Sequence, residues 1–191
     1  FGILGAFYYL SMIFTWKERL LNHLYYNIVR PRRLRGALRY VNALSGHTVL
    51  DVGYCDGTAR DTILRKDVVY TGIDPYPRER IENMPVVSIE DFESSSQFDI
   101  VIACEILEHT KDPVVAMKKL KSLAKKYICI SVPHEPLYTL SRFFVPVQDH
   151  YWTIHPNILA YYFGTPILEK KLHFGRTYFA IFDVGQAVNH G

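Results

Sequence analysis

One junction constrains this chain more than any other feature. Thr48-Val-Leu-Asp51-Val is an apolar strand that runs straight into Gly53-Tyr54-Cys55-Asp-Gly57, and Gly57–Arg65 reads as a helix. Glycines in such a strand–turn–helix junction let the backbone come close to a ligand at the carboxyl end of the strand. The spacing Gly-x-Cys-x-Gly differs from the dinucleotide fingerprint Gly-x-Gly-x-x-Gly. About 20 residues later, where a ribose-binding acid belongs, a second strand over Val68–Ile73 ends in Gly72-Ile-Asp74-Pro75. A carboxylate there accepts hydrogen bonds from ribose hydroxyls. The two elements in this order point to an adenosine-bearing ligand without a pyrophosphate.

The same alternation continues. Val86–Ser88 and Phe98–Cys104 read as strands, Pro113–Ala124 as a helix with a basic face, and Tyr127–Val132 as a strand. A helix is expected near Asn157–Phe163. Ile167–Phe174 and Arg176–Val184, joined at Gly175, read as a terminal hairpin. Strand–helix alternation requires right-handed crossovers and a mostly parallel sheet covered on both faces, the doubly wound α/β class.

Ahead of this domain the character of the chain differs. Residues 1–50 carry seven Lys/Arg and one Glu, a net +6, whereas residues 51–191 carry fifteen Lys/Arg and eighteen Asp/Glu, a net −3. We therefore read residues 1–47 as an apolar and basic helical leader and residues 48–191 as the ligand-binding domain. Phe1 to Trp16 holds no charge. As a helix it would span roughly 24 Å, short of the ~30 Å hydrocarbon core of a bilayer. Ile3, Phe7, Leu10, Phe14, Leu21, Leu24 and Ile28 form one apolar stripe, suited to packing on the domain or a partner subunit, or to lying in a membrane interface. Pro31 is expected to break that helix, with a second helix running to about Leu44. Arg30, Arg32, Arg33, Arg35 and Arg39 would suit lipid headgroups, phosphate or RNA. No aromatic residues interleave with them for base stacking, which disfavours nucleic acid. The start at Phe1 reads as a fragment or a processed chain. Cys55, Cys104 and Cys129 are odd in number and widely spaced, which points to reduced thiols and a cytoplasmic location, peripheral to a membrane if the leader binds one.

Four motifs taken together resemble the class I S-adenosylmethionine-dependent methyltransferases. Leu50-Asp51-Val-Gly53-x-x-x-Gly57 is similar to the family's first motif and Gly72-Ile-Asp74 to its second. Phe98-Asp99-Ile-Val-Ile-Ala-Cys104-Glu105-Ile-Leu-Glu108-His109-x-x-Asp112-Pro113 resembles the fourth-strand motif of the ubiquinone- and menaquinone-biosynthesis type, and Ile130-Ser-Val-Pro133 its fifth-strand end. The resemblance covers residues 48 to about 183. It implies a Rossmann-like sheet of seven strands, mostly parallel with the last one antiparallel, plus the N-terminal helices.

The resemblance also implies residue roles. Gly53, Tyr54, Cys55 and Gly57 would face the methionine part of the cofactor, and Asp51 would orient its amino group. Asp74 and Pro75 would meet the ribose, and Asp91 and Phe92 the adenine. Cys104 and Glu105 would line the floor beside the sulfonium. The sequence departs from the family at Cys55, which replaces the middle glycine, and in residues 75–97, which leave room only for an abbreviated third strand.

Methyl transfer to a hydroxyl or an acidic carbon gains from a base. His109, His134, His150 and His155 lie after the fourth and fifth strands, and His109 and His134 are the catalytic candidates. Glu105, Glu108, His109 and His150 resemble the cation-binding set of the ubiquinone-pathway catechol O-methyltransferases and the small-RNA 2′-O-methyltransferases, which would hold Mg²⁺ or a similar ion. The aromatic residues between Tyr138 and Tyr162 would cover a hydrophobic or ring-shaped acceptor. The expected activity is S-adenosylmethionine-dependent methylation, at oxygen, of a small or lipid-like acceptor. The rival readings are a catalytically inactive cofactor-binding partner or scaffold subunit, and an RNA methyltransferase using Arg30–Arg39.

Overall fold

A computed structural model describes residues 30–63, 65–134 and 150–185. The apolar stripe of residues 1–28 and the aromatic residues Tyr138, Phe143 and Phe144 lie outside these. Strands β1 (Thr48–Val52), β2 (Val69–Ile73), β3 (Phe98–Cys104), β4 (Ala124–Pro133), β5 (Leu168–Leu172) and β6 (Thr177–Asp183) form one sheet in the order β2-β1-β3-β4-β6-β5. β1 pairs in parallel with β2 and β3, and β3 with β4, while β6 runs antiparallel to both β4 and β5. This is the expected doubly wound sheet with a reversed last strand. The central strands are buried almost end to end, so they read as continuous apolar runs rather than as alternating ones.

Period-two alternation divides these strands between two cores. Leu50 and Val52, Val101 and Ala103, and Ile128, Ile130 and Val132 point to one face. There they pack against α3 (Pro113–Leu123) and α4 (Pro156–Phe163) through Met117, Leu120, Leu159 and Phe163. Val49, Ile100, Ile102, Cys129, Phe179 and Ile181 point to the other face. They meet α1 (Arg30–Leu38), a 3-10 turn (Val41–Ala43) and α2 (Thr58–Thr62) through Leu34, Ala37, Leu38, Val41 and Ala59. Each fully buried Leu, Ile or Phe contributes about 1.5–3 kcal/mol. The segment that reads as a leader in sequence thus supplies part of one core from residue 34 onward.

Several elements differ from expectation. The helix after the glycine turn spans only Thr58–Thr62; Ile63 is already extended, and the Thr62 hydroxyl donates back to the Thr58 carbonyl at 2.7 Å. Val86–Ser88 forms no strand. It follows Pro85, whose carbonyl accepts from Asp74 N at 3.4 Å, and proline has no N–H to continue a ladder. The described residues therefore contain six strands rather than seven, and β2 stands at the sheet edge. β4 begins directly at the end of α3, three residues ahead of the expected Tyr127. α3 starts where expected: Asp112 caps it, accepting from Val114 N at 2.8 Å and Val115 N at 3.1 Å, and Pro113 sits in the first turn.

At the opposite end of the sheet from the strand carboxyl ends, Asp99 ties β3 to β1. Its carboxylate accepts from His47 N at 2.8 Å and Thr48 N at 3.3 Å, and Lys126 Nζ lies 3.3 Å away. These donors, the His47 amide foremost, hold the Asp99 carboxyl below its ordinary range.

Candidate active site

The carboxyl ends of β1, β2, β3 and β4 share one edge of the sheet, and every candidate turn lies there. In the turn after β1, Gly53, Cys55 and Gly57 all take left-handed backbone conformations, with φ of 80°, 56° and 76°. Glycine does so freely, whereas Cys55 pays about 1–2 kcal/mol. Cys55 thus keeps the backbone shape of the glycine expected at its position.

The turn is fastened to β2. Gly53 N donates to Ile73 O at 2.7 Å and Gly57 N to Tyr54 O at 2.9 Å. Cys55 N donates to Asp74 Oδ2 at 2.9 Å, and Tyr76 N donates to Asp74 Oδ1 at 2.7 Å. The buried Asp74 is therefore a clamp between two backbone segments as well as a candidate ribose ligand; each oxygen still has a further lone pair. Pro75, next to it, is exposed. A Cβ on Gly53 would stand 1.9 Å from Ile106 Cδ1, so only glycine fits beneath the Ile106 side chain.

Asp51, also buried, accepts a hydrogen bond from the Tyr70 hydroxyl. Burial, with the Asp51 charge next, pushes the Tyr70 phenol far above its usual range, so it stays a donor. Tyr70 is missed by motif reading, yet the strand register carries a signal. It pairs with Val49, two residues before Asp51 on the same face, within diagonal reach of a long side chain.

After β3, Glu105 is left-handed at φ 58°. Its N–H donates to Ser131 O at 2.9 Å, and the Ser131 hydroxyl donates to Glu105 Oε1 at 3.1 Å. Cys104 is buried in the core under α1. A 3-10 turn, Leu107–His109, then brings the buried Glu108 and the exposed His109 to a third residue, His150. One ligand atom from each of the three lies within 4.8 Å of the others, and the two imidazoles meet edge to face at 4.5 Å. Backbone bonds bring the distant segment in: Tyr151 N and Trp152 N donate to Glu108 O at 2.8 and 3.2 Å, and Trp152 Nε1 donates to Thr110 O at 2.8 Å. Of the four residues in the cation set, Glu105 is the one outside this group.

The other candidates separate. His134 follows β4, and its Nδ1 lies 2.9 Å from Gly175 O. A carbonyl only accepts, so Nδ1 carries a proton, and the tautomer that leaves a lone pair on Nε2 fits this contact. The His134 ring stacks on Tyr178 at 6.4 Å. His155 caps α4 instead, accepting from Asn157 N at 3.2 Å. Asp91 accepts from the Ser88 hydroxyl at 2.8 Å, and Phe92 belongs to the core beside Ile73 and Ile89.

A family model described as a methyltransferase domain matches residues 26–160. The chain belongs to this methyltransferase family. Among curated relatives, a ubiquinone biosynthesis O-methyltransferase of Actinobacillus pleuropneumoniae is 28% identical over 133 residues, covering 60% of this chain and 57% of the relative. One from Vibrio vulnificus is 29% identical over 111 residues, covering 51% of this chain and 47% of the relative. The chain spans about half the length of the curated relatives it matches. Among solved structures, the Burkholderia thailandensis 1,6-didemethyltoxoflavin-N1-methyltransferase, with 1,6-didemethyltoxoflavin and S-adenosylhomocysteine bound, superposes with a TM-score of 0.63 at 15% identity. That match covers 96% of this methyltransferase-family chain and 90% of the other, and it establishes the fold.

Proposed function

We propose that this methyltransferase-family chain binds S-adenosylmethionine at the carboxyl ends of β1 and β2 and methylates a small or lipid-like acceptor at oxygen. The observation that carries the reading is the turn Gly53–Gly57 clamped to Asp74. Its left-handed residues and the carboxylate at the end of β2 suit an adenosine with an amino-acid tail. The relatives named as O-methyltransferases support oxygen as the accepting atom.

Bound S-adenosylmethionine supplies a methyl group on a sulfonium, poised for in-line displacement. The chain's own contribution is alignment and the handling of one proton. Asp51, fixed by Tyr70, would orient the amino group, and Asp74 the ribose. His134 Nε2 would take the acceptor's proton, its ring held by the Gly175 carbonyl and Tyr178. Glu108, His109 and His150 offer one carboxylate and two imidazoles, a donor set suited to a divalent cation. Such an ion would hold an acceptor's oxygens and lower their pKa.

Transfer of a radiolabelled methyl from S-adenosylmethionine to a lipid-extract or catechol pool tests the activity. Binding without transfer to any pool would favour the partner-subunit reading. Transfer to RNA that falls away when Arg32, Arg35 and Arg39 are replaced would favour the RNA reading. Replacing His134 by Gln should lower turnover about 100-fold. Unchanged turnover would free His134 from that role.

A further inference from the structure

The hairpin between β5 and β6 turns at His173-Phe174-Gly175-Arg176, and two features of its tip stand out. His173 and Phe174 are both left-handed, at φ 52° and 58°, where a side chain costs about 1 kcal/mol or more each. The Phe174 ring is fully exposed to solvent. A lone exposed ring needs no explanation, but this one shares its hairpin with exposed cations. Lys170, Lys171 and Arg176 are exposed on the same hairpin, and α1, which packs beside β5, exposes Arg32 and Arg35. Among the described residues none of these five is held in an ion pair. The one acid of β5, Glu169, accepts from the Tyr178 hydroxyl at 3.1 Å and alternates to the face of Lys171, opposite Lys170.

The tip also has a defined place. Leu172 pairs with Thr177, and Thr177 pairs with Pro133 at the carboxyl end of β4. The tip therefore stands on the edge of the sheet that carries the candidate site. It is joined to that site by two bonds at 2.9 Å, from His134 N to Arg176 O and between His134 Nδ1 and Gly175 O.

The geometry points to the β5–β6 tip as an anchor for an anionic lipid surface, with Phe174 entering the headgroup–acyl boundary and Lys170, Lys171 and Arg176 meeting the anionic headgroups. An apolar side chain rimmed by Lys and Arg is the arrangement that binds such an interface. Docked this way, the edge of the sheet that carries the candidate site lies toward the bilayer. The anchor does not depend on which acceptor is methylated, and its test makes no use of the reaction.

The test is co-sedimentation of the full chain with phosphatidylcholine vesicles, with and without 30% phosphatidylglycerol. Phe174→Asn suits the left-handed backbone and should keep the fold, checked by circular dichroism. It is expected to weaken binding to the anionic vesicles at least tenfold. Replacing Lys170, Lys171 and Arg176 together by Ser should weaken it about 100-fold, since each cation at an anionic surface contributes about fivefold. Phe174→Trp should show a blue-shifted emission on the vesicles, quenched by brominated lipid. Unchanged binding of folded Phe174→Asn, equal binding to neutral vesicles, or retention on RNA without vesicle binding would overturn the anchor.

Discussion

The turns after β1 and after β3 lie side by side at one edge of the sheet, and they are built on opposite principles. The first, Gly53–Gly57, is made of backbone. Its amides are tied to Ile73 and Asp74, and it needs glycine at Gly53, where Ile106 leaves no room for a Cβ. The second, Glu105–Thr110, also has backbone ties, but what it presents is side chains. It brings a buried carboxylate and an exposed imidazole to meet His150 from another segment. Each holds one left-handed residue that is not glycine, Cys55 or Glu105. A backbone cradle stands or falls with the fold, whereas a side-chain cluster is lost with one residue while the fold persists.

The largest test of this contrast replaces the acid belonging to each turn. Asp74→Ala removes the acceptor of two backbone amides and should lower unfolding free energy by about 3 kcal/mol or more in a urea titration. Glu108→Gln should leave it within about 1 kcal/mol, because the same change also removes the cost of a buried charge. Glu108→Gln should instead abolish any rise in melting temperature given by Mg²⁺ or Mn²⁺, as should His150→Ala. If both acids prove equally structural, the contrast between the turns fails. Methyl transfer that survives exhaustive chelation would separately remove the cation from the reaction.

A smaller effect is expected where the turns are alike. Cys55→Gly and Glu105→Gly both relieve a left-handed side chain and should each raise stability by about 0.5–1 kcal/mol. Cys55→Gly should leave cofactor affinity unchanged or improve it, since the backbone already has the glycine shape. Glu105→Gly also removes the acceptor of the Ser131 hydroxyl, so its gain should be the smaller of the two.

The smallest test lies away from both turns, at Asp99. Its folded pKa is depressed by the His47 and Thr48 amides and by Lys126, so its stabilisation is complete above the ordinary carboxylate value of about 4. That stabilisation is lost as pH falls through the lower folded value. In Asp99→Asn, the dependence of stability on pH below about 4 should be shallower. An unchanged slope would assign acid sensitivity to other carboxylates.

How much could be read in advance follows the same division. Thr48–Val52 and Phe98–Cys104 match their expected bounds because buried parallel strands are unbroken apolar runs, and α3 starts at the expected Pro113. The acid–glycine pairing of Asp74 with the turn is visible as spacing. What spacing hides is who else uses a residue. Tyr70 on Asp51, Ser131 on Glu105 and Gly175 on His134 are contacts across strands or across more than 40 residues of chain. The strand expected at Val86–Ser88 fails because Pro85 interrupts the donor pattern, and a five-residue α2 ends earlier than its apolar spacing suggests. His155 shows the limit for histidines: its sequence position suits catalysis, but its ring caps α4.

Whether the clamped turn holds S-adenosylmethionine is decided by calorimetric titration of the full chain with S-adenosylhomocysteine, the demethylated product. One saturable site is expected, with at least a tenfold loss of affinity in Asp74→Asn that is shown to be folded by circular dichroism. A folded wild-type chain that releases no binding heat and shows no thermal shift would contradict it. Equal affinity in folded Asp74→Asn would contradict the ribose role of Asp74.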